Sequence, residues 1–140
     1  MSTSKASARW EGTLRDGRGT MKPANGSDVP FSLKTRFEGE RGSNPEELIG
    51  AALAGCFSMA LSAALGKAGI NPTSIETEAS VQLDKQGDGF AITSINLQTN
   101  AKVPGLDAAK FETIAQETKQ QCPVSKALTG TKISLTAKLV

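Results

Sequence analysis

The sequence contains no histidine. That absence removes Ser–His and Cys–His catalysis, His-ligated haem and most catalytic zinc sites. Aromatic residues are scarce as well: they make up 4% of 140 residues, with no tyrosine and one tryptophan, Trp10. A platform on which nucleobases stack is therefore excluded. Nor does charge of one sign dominate. Sixteen basic and fourteen acidic residues leave a formal net charge of +2, spread evenly, which gives no strong pull on nucleic acid or anionic membrane. Two cysteines, Cys56 and Cys122, are too few for a disulfide framework or a four-thiolate metal centre. The opening MSTSKASARW has no apolar run of the kind a secretory signal carries, so the expectation is a cytoplasmic chain.

What is present reads as one domain over residues 1–140, long enough to bury about two-thirds of its extended surface without a covalent staple. No internal repeat or long linker interrupts it. Ala8, Trp10, Gly12 and Leu14 share one face of a predicted first strand. Asp16-Gly17 then offers a hairpin turn into a second strand near Gly19–Ala24. After a loop at Asn25–Asp28, a third strand is expected from about Pro30 to Phe37. Farther on, Ile75, Thr77, Ala79, Val81 and Leu83 alternate with polar residues, the pattern of a half-buried strand. The turn Gln86–Gly89 leads into a strand with Thr93, Ile95, Leu97 and Ala101 on one side. A last strand shows Ile133, Leu135, Ala137 and Leu139. Short turns between neighbours imply antiparallel pairing with one face covered.

Two helical segments break this pattern. One begins at Asp107 as N-cap, carries Phe111, Ile114, Ala115 and Thr118 on a stripe, and ends near Gln121 because Cys122 precedes a proline. A short turn over Pro123–Leu128 follows. The other begins with Asn44 as N-cap, Pro45 at the first helical position and Glu47 three residues after the cap, a capping-box pattern, and Gly69 is its stop. From Leu48 to Gly66 it holds no charge. That length could cross a bilayer, but the segment is rich in Ala, Gly and Ser, and nothing else in the chain resembles a membrane anchor. A helix apolar all round is a buried helix. One small sheet cannot cover every side of it, so the expectation is a homodimer with this helix near its centre.

The cysteines pull in different directions. Cys56 sits mid-way along the buried helix, where burial raises a thiol pKa. Cys122 precedes Pro123 at a helical start, where free N–H groups favour a thiolate. Local physical chemistry alone therefore makes Cys122 the reactive sulfur.

At these residues a resemblance emerges. The run RFEGERGSNPEELIGAALAGCFSMALSAALGKAG (Arg36–Gly69) resembles the OsmC branch of the OsmC/Ohr family, the osmotically induced and organic-hydroperoxide-resistance proteins. QQCPVSKAL (Gln120–Leu128) is similar to the family's second cysteine motif. The stretch ARWEGTLRDGRGT (Ala8–Thr20) and the helix from Asp107 also fit, so the likeness covers nearly the whole chain. It departs from the usual pattern near the first cysteine, where Leu53 and Gly55 stand in place of commoner His and Ala.

The resemblance implies an α+β OsmC-like fold, with antiparallel sheets around long buried helices, in an intertwined homodimer. It implies a thiol peroxidase for organic hydroperoxides, weaker on hydrogen peroxide, with no metal or prosthetic cofactor. Cys56 matches the peroxidatic cysteine, Cys122 the resolving one, Arg36 the active-site arginine and Glu46 its glutamate partner. An external dithiol, a lipoylated protein rather than thioredoxin, would recycle the enzyme.

These residue types suit that chemistry. A thiolate attacks the O–O bond, and a permanently charged guanidinium can hold both the thiolate and the departing alkoxide. Glu46 would clamp the Arg36 fork. Cys122 would condense with the Cys56 sulfenic acid and stop over-oxidation. The runner-up is a redox-responsive sensor that uses the same disulfide without turnover. One spacing constrains both readings: ten helical residues rise about 15 Å. Glu46 and Cys56 therefore serve one site only if the helix breaks between them or the glutamate comes from a partner chain.

Overall fold

Ten elements follow one another along residues 2–140, the part of the chain described by the computed structural model. They are β1 (Ala6–Glu11), β2 (Arg18–Pro23), β3 (Val29–Phe31), α1 (Leu33–Phe37), α2 (Pro45–Lys67), β4 (Ser74–Gln86), β5 (Gly89–Lys102), α3 (Ala108–Gln121), α4 (Pro123–Ala127) and β6 (Lys132–Leu139). The backbone divides into two compact units, one running through Leu48 and one covering Ile49–Val140.

In the first unit, β1, β2 and β3 form an antiparallel sheet in sequence order. Gly19 pairs with Trp10 on one side and Phe31 on the other. The two rings close over it with centroids 5.4 Å apart, and a Cβ there would lie 2.6–2.8 Å from ring atoms. Only glycine fits beneath that aromatic pair. The first strand is shorter than its alternation predicts. It ends at Glu11, because Gly12 takes φ +92° and the Gly17 N–H bonds back to the Thr13 carbonyl at 2.8 Å. Leu14 is thereby left at the loop, largely exposed.

The expected third strand is also cut short. It stops at Phe31, and the next residues form α1 instead. Ser32 and Thr35 cap each other: the Ser32 hydroxyl accepts from the Thr35 N–H at 3.2 Å, and the Thr35 hydroxyl accepts from the Ser32 N–H at 2.9 Å. This reciprocal cap outweighs the β-tendency of the segment and puts Arg36 on a helical turn rather than a strand end.

Helix α2 starts where the sequence places it, with the Asn44 Oδ1 accepting from the Glu47 N–H at 2.9 Å. The return bond of a capping box does not form; the Glu47 carboxylate accepts from the Ser43 hydroxyl instead. The helix ends in a Schellman motif. The Ile70 N–H reaches the Leu65 carbonyl at 2.9 Å, and Gly69 adopts φ +76°.

In the second unit, the sheet order is β4-β5-β6. β4 and β5 pair antiparallel around the two-residue loop at Gly87-Asp88, while β6 joins β5 in parallel. The parallel pairing departs from the all-antiparallel expectation, and its cause is the crossover through α3 and α4, which returns the chain to the same end of the sheet. A bulge next to Leu83 makes Ile92 the cross-strand partner of Leu83. Ile92, rather than the predicted Thr93, therefore packs against the core, and Thr93 donates to the Asp84 carboxylate.

Leu53, Phe57, Leu61 and Leu65 line one side of α2 at four-residue spacing. They meet Ile95, Leu97 and Ala101 of β5 and Phe111 and Ala115 of α3 in a single core cluster. Hydroxyl groups fix the helix's rotation as well. Ser58 bonds Thr77 at 2.8 Å, Thr77 bonds Thr99 at 2.8 Å, and Thr99 donates to the Glu76 carbonyl at 3.3 Å. The helix is not buried on all sides within one chain, as its composition led us to expect. Ala51, Ala52, Gly55, Met59, Ser62, Ala63 and Gly66 stay exposed.

The Gly19 contact carries a direct prediction. Gly19→Ala should destabilise the first unit by about 1–3 kcal/mol, the cost of overpacking a filled site. Denaturant unfolding followed by the emission of Trp10, the sole tryptophan, would show an earlier transition. An unchanged midpoint would mean that the rings move aside freely.

Candidate active site

Cys56 lies on α2, one residue before the buried Phe57, and is half-buried. Cys122 forms the corner between α3 and α4. Pro123 holds it off helical geometry, at φ −57° and ψ 126°. Its N–H closes α3 on the Thr118 carbonyl at 2.9 Å, and its carbonyl accepts the Lys126 N–H of α4 at 3.0 Å. With both backbone groups tied, its fully buried side chain points at α2. The two sulfurs, 66 positions apart in sequence, stand 2.9 Å apart, both as free thiols. That distance is close enough to share one proton. A disulfide requires the sulfurs to approach by roughly another 0.9 Å.

The surroundings divide the two thiols. Burial pushes the Cys56 pKa up, and the hydrogen bond with Cys122 pushes it further; the Val124 N–H opposes this without reversing it. At Cys122 burial acts the same way but is outweighed. The hydrogen bond shared with Cys56, the Ser125 N–H and hydroxyl, and the Val124 N–H together bring its pKa below the ordinary thiol value. Within one chain Cys122 is therefore the more acidic sulfur, as its place at a helical start predicts. Ser125, which sequence reasoning missed, is buried, and its Oγ makes no hydrogen bond of regular geometry. The signal was available: Ser125 is the third residue of the turn that Cys122 caps.

The second predicted pair lies in the first unit. The Arg36 Nε donates to both Glu46 carboxylate oxygens, at 3.0 and 3.2 Å, and its Nη2 donates to Oε1 as well. Glu46 is buried, whereas the Arg36 side chain is about one-third exposed. The Arg36 guanidinium also lies 5.2 Å from the centre of the Phe37 ring. Its fork is thus fixed on one side and open on the other. The structure joins Cys56 to Cys122 and Arg36 to Glu46. Helix α2 is unbroken from Pro45 to Lys67, which closes the route in which a break brings Glu46 toward Cys56 along the same helix. Among the described residues no cluster of three or more His, Cys, Asp or Glu side chains is arranged to hold a metal ion.

A thiol pair at this separation can trap a sulfenic acid as a disulfide, and known proteins place that capability in a lineage. The family described as OsmC-like protein matches residues 37–138. Peroxiredoxin OsmC of Escherichia coli (strain K12) is 55% identical over 126 residues, covering 89% of this chain and 88% of that protein. Organic hydroperoxide resistance protein OhrB of Bacillus subtilis (strain 168) is 32% identical over 122 residues, covering 84% and 88%. The crystal structure of the B. subtilis OhrB protein matches with a TM-score of 0.76 at 30% identity, over 96% of this chain and 97% of that one. An OsmC-like protein from Mycoplasma pneumoniae gives 0.78 at 17% identity, over 99% and 98%, a likeness of fold alone. This α+β chain belongs to the OsmC-like family.

Proposed function

We propose that the protein is a cysteine-based hydroperoxide reductase that acts on organic hydroperoxides, and more weakly on hydrogen peroxide, as a homodimer in the cytoplasm. The observation that carries the reading is the 2.9 Å approach of two otherwise distant sulfurs inside the core. The Cys56 thiolate attacks the terminal peroxide oxygen, the O–O bond breaks, and the alkoxide leaves to take up a proton. The Cys56 sulfenic acid then loses hydroxide to attack by the Cys122 thiolate, giving a disulfide and water. An external dithiol, such as a lipoylated protein, reopens the bond by exchange and is itself oxidised. A reducing compartment suits a bond that must reopen in every cycle.

This order requires an anionic Cys56, yet the environment within one chain raises its pKa. A cation must supply the difference, and Arg36 is the one we assign. Glu46 holds the Arg36 fork, and the open side of that fork faces the thiolate of a neighbouring subunit. The exposed stripe of small residues on α2, from Ala51 to Gly66, is where the second copy packs. An antiparallel pair of these helices sets the start of one beside the middle of the other. The same guanidinium then stabilises the departing alkoxide.

Two predictions test the reading. With cumene hydroperoxide and a dithiol, the wild type should turn over steadily. Cys56→Ser should lose nearly all activity, and Arg36→Ala should fall about 10- to 100-fold, the scale of a lost charge-assisted hydrogen bond. Cys122→Ser should react once and then stall or over-oxidise. Equal activity in Cys56→Ser and wild type would transfer the peroxidatic role to Cys122. A single stoichiometric oxidation of wild type would identify a redox sensor instead. Independently, Ala52→Glu on the exposed stripe should sediment as a monomer and lose peroxidase activity in parallel. A monomeric Ala52→Glu with full activity would show that no partner residue is needed.

A further inference from the structure

Ser125 is the one described residue whose buried side-chain hydroxyl lacks a hydrogen bond of regular geometry. Only 8% of the residue is exposed, so water does not readily serve it. A buried polar group in that condition asks for an explanation. The usual outlets for a serine at this place are not used. A residue three after an N-cap can reach back to the cap's N–H, but the Cys122 N–H already donates to the Thr118 carbonyl. A helical serine can also donate to a carbonyl three or four residues earlier, and no such bond forms here. The group on which the Ser125 side chain does act is the sulfur of the capping residue, three positions earlier. Cys122 is the N-cap of α4 but makes no side-chain cap bond of regular geometry to that helix, so the helix N–H groups do not use up its sulfur.

We propose that the Ser125 hydroxyl donates a hydrogen bond to the Cys122 sulfur during disulfide formation, holding the attacking sulfur in line with Cys56. The inference rests on the reading of Cys122 as the resolving cysteine. In the resting thiol form the hydroxyl gains little, because a neutral sulfur is a weak acceptor. When Cys122 loses its proton, the hydroxyl rotates its hydrogen onto the anion and the orphan is satisfied. An interaction gained in the reacting state alone favours the reaction rather than the resting enzyme. The step balances. The Cys122 thiolate gives its electron pair to the Cys56 sulfur, the S–S bond forms, and the S–O bond breaks. Hydroxide leaves and takes up a proton. Cys122 is oxidised and the Cys56 sulfenic sulfur is reduced.

The titratable surroundings are sparse enough for a clean test. Cys56 of α2 is the ionisable neighbour that acts on Cys122. Lys119 of α3 is turned toward the Ile133 carbonyl of β6, and Lys126 of α4 is exposed. With no tyrosine in the chain, the ultraviolet absorbance of a thiolate titrates without phenolate overlap. In a Cys56→Ser background, Ser125→Ala should raise the Cys122 midpoint by about one pH unit, a tenfold loss of thiolate at neutral pH, and Ser125→Thr should restore it. With both cysteines present, quenched-flow mass spectrometry after one equivalent of cumene hydroperoxide should show about tenfold slower disulfide formation in Ser125→Ala. More Cys56 should reach the sulfinic acid, and the defect should shrink above the midpoint.

Thermal stability separates a structural role. Removing an unpaired hydroxyl should leave the melting temperature unchanged or higher, so slower disulfide formation could not come from a loosened fold. An unmoved midpoint would overturn the inference whatever the peroxide assays give. A shifted midpoint with unchanged disulfide rate would overturn its role in the reaction. Wild-type turnover by Cys122→Ser would instead remove the underlying reading of Cys122.

Discussion

The contact between the Cys56 and Cys122 sulfurs depends on two independent fixings that meet at one point. On one side, α2 is set against the second sheet by Leu53, Phe57, Leu61 and Leu65, and its rotation is fixed by the Ser58–Thr77–Thr99 hydroxyl chain. On the other, Pro123 stops α3 at Cys122, and the bonds to Thr118 and Lys126 hold the corner. A close-packed interior turns such constraints into a distance, because neither element can slide without opening a void. The 2.9 Å separation is therefore a property of the whole second unit rather than of two cysteines.

That packing also creates the electrostatic problem that the chemistry must solve. Burial raises the pKa of Cys56. The corner at Cys122 offers N–H donors instead, and there the thiolate is favoured. A chain acting alone would thus ionise Cys122 first. In the proposed dimer, the Arg36–Glu46 pair reverses the order at the moment it matters. Once Cys56 is oxidised and no longer anionic, the acidity of Cys122 becomes the useful property. The division of pKa values between the two sulfurs is then a sequence of roles rather than a contradiction.

Much of this was legible in the residues, and the parts that were not share a cause. Asn44, Asp107, Gly69 and Pro123 act within a turn of themselves, so their caps and stops could be read directly and lie where expected. The half-buried alternation of β4 was equally plain. The misses depended on competition between elements. Ser32 and Thr35 converted the end of a predicted strand into a helical turn. One bulge exchanged Ile92 for Thr93. The direction of β6 followed from where α4 delivers the chain. For the site, the two motifs located both cysteines, but their proximity across 66 positions is tertiary. The place of Ser125 in the turn after Cys122 could be read, but that its hydroxyl is buried without a regular partner is tertiary.

The uncharged stretch of α2 shows how an absent pattern can itself be informative. A helix on the surface of a monomer advertises its inner face by periodicity. Here charge is missing from the outer face as well, so charge defines no stripe, and the distinction passes to side-chain size. The four-residue ladder of Leu and Phe is directed to the core, while Ala51, Ala52, Gly55, Ala63 and Gly66 lie on the other side. Large residues fill the irregular space over a twisted sheet; small ones permit two backbones to come close. Beyond its own helical turn, Gly55 has no atom within 4 Å of where its Cβ would be, so no other part of its own chain requires a glycine there. In a helix interior that glycine costs about 1 kcal/mol against alanine. The cost makes physical sense if a second helix crosses at that point, one residue from the Cys56 sulfur.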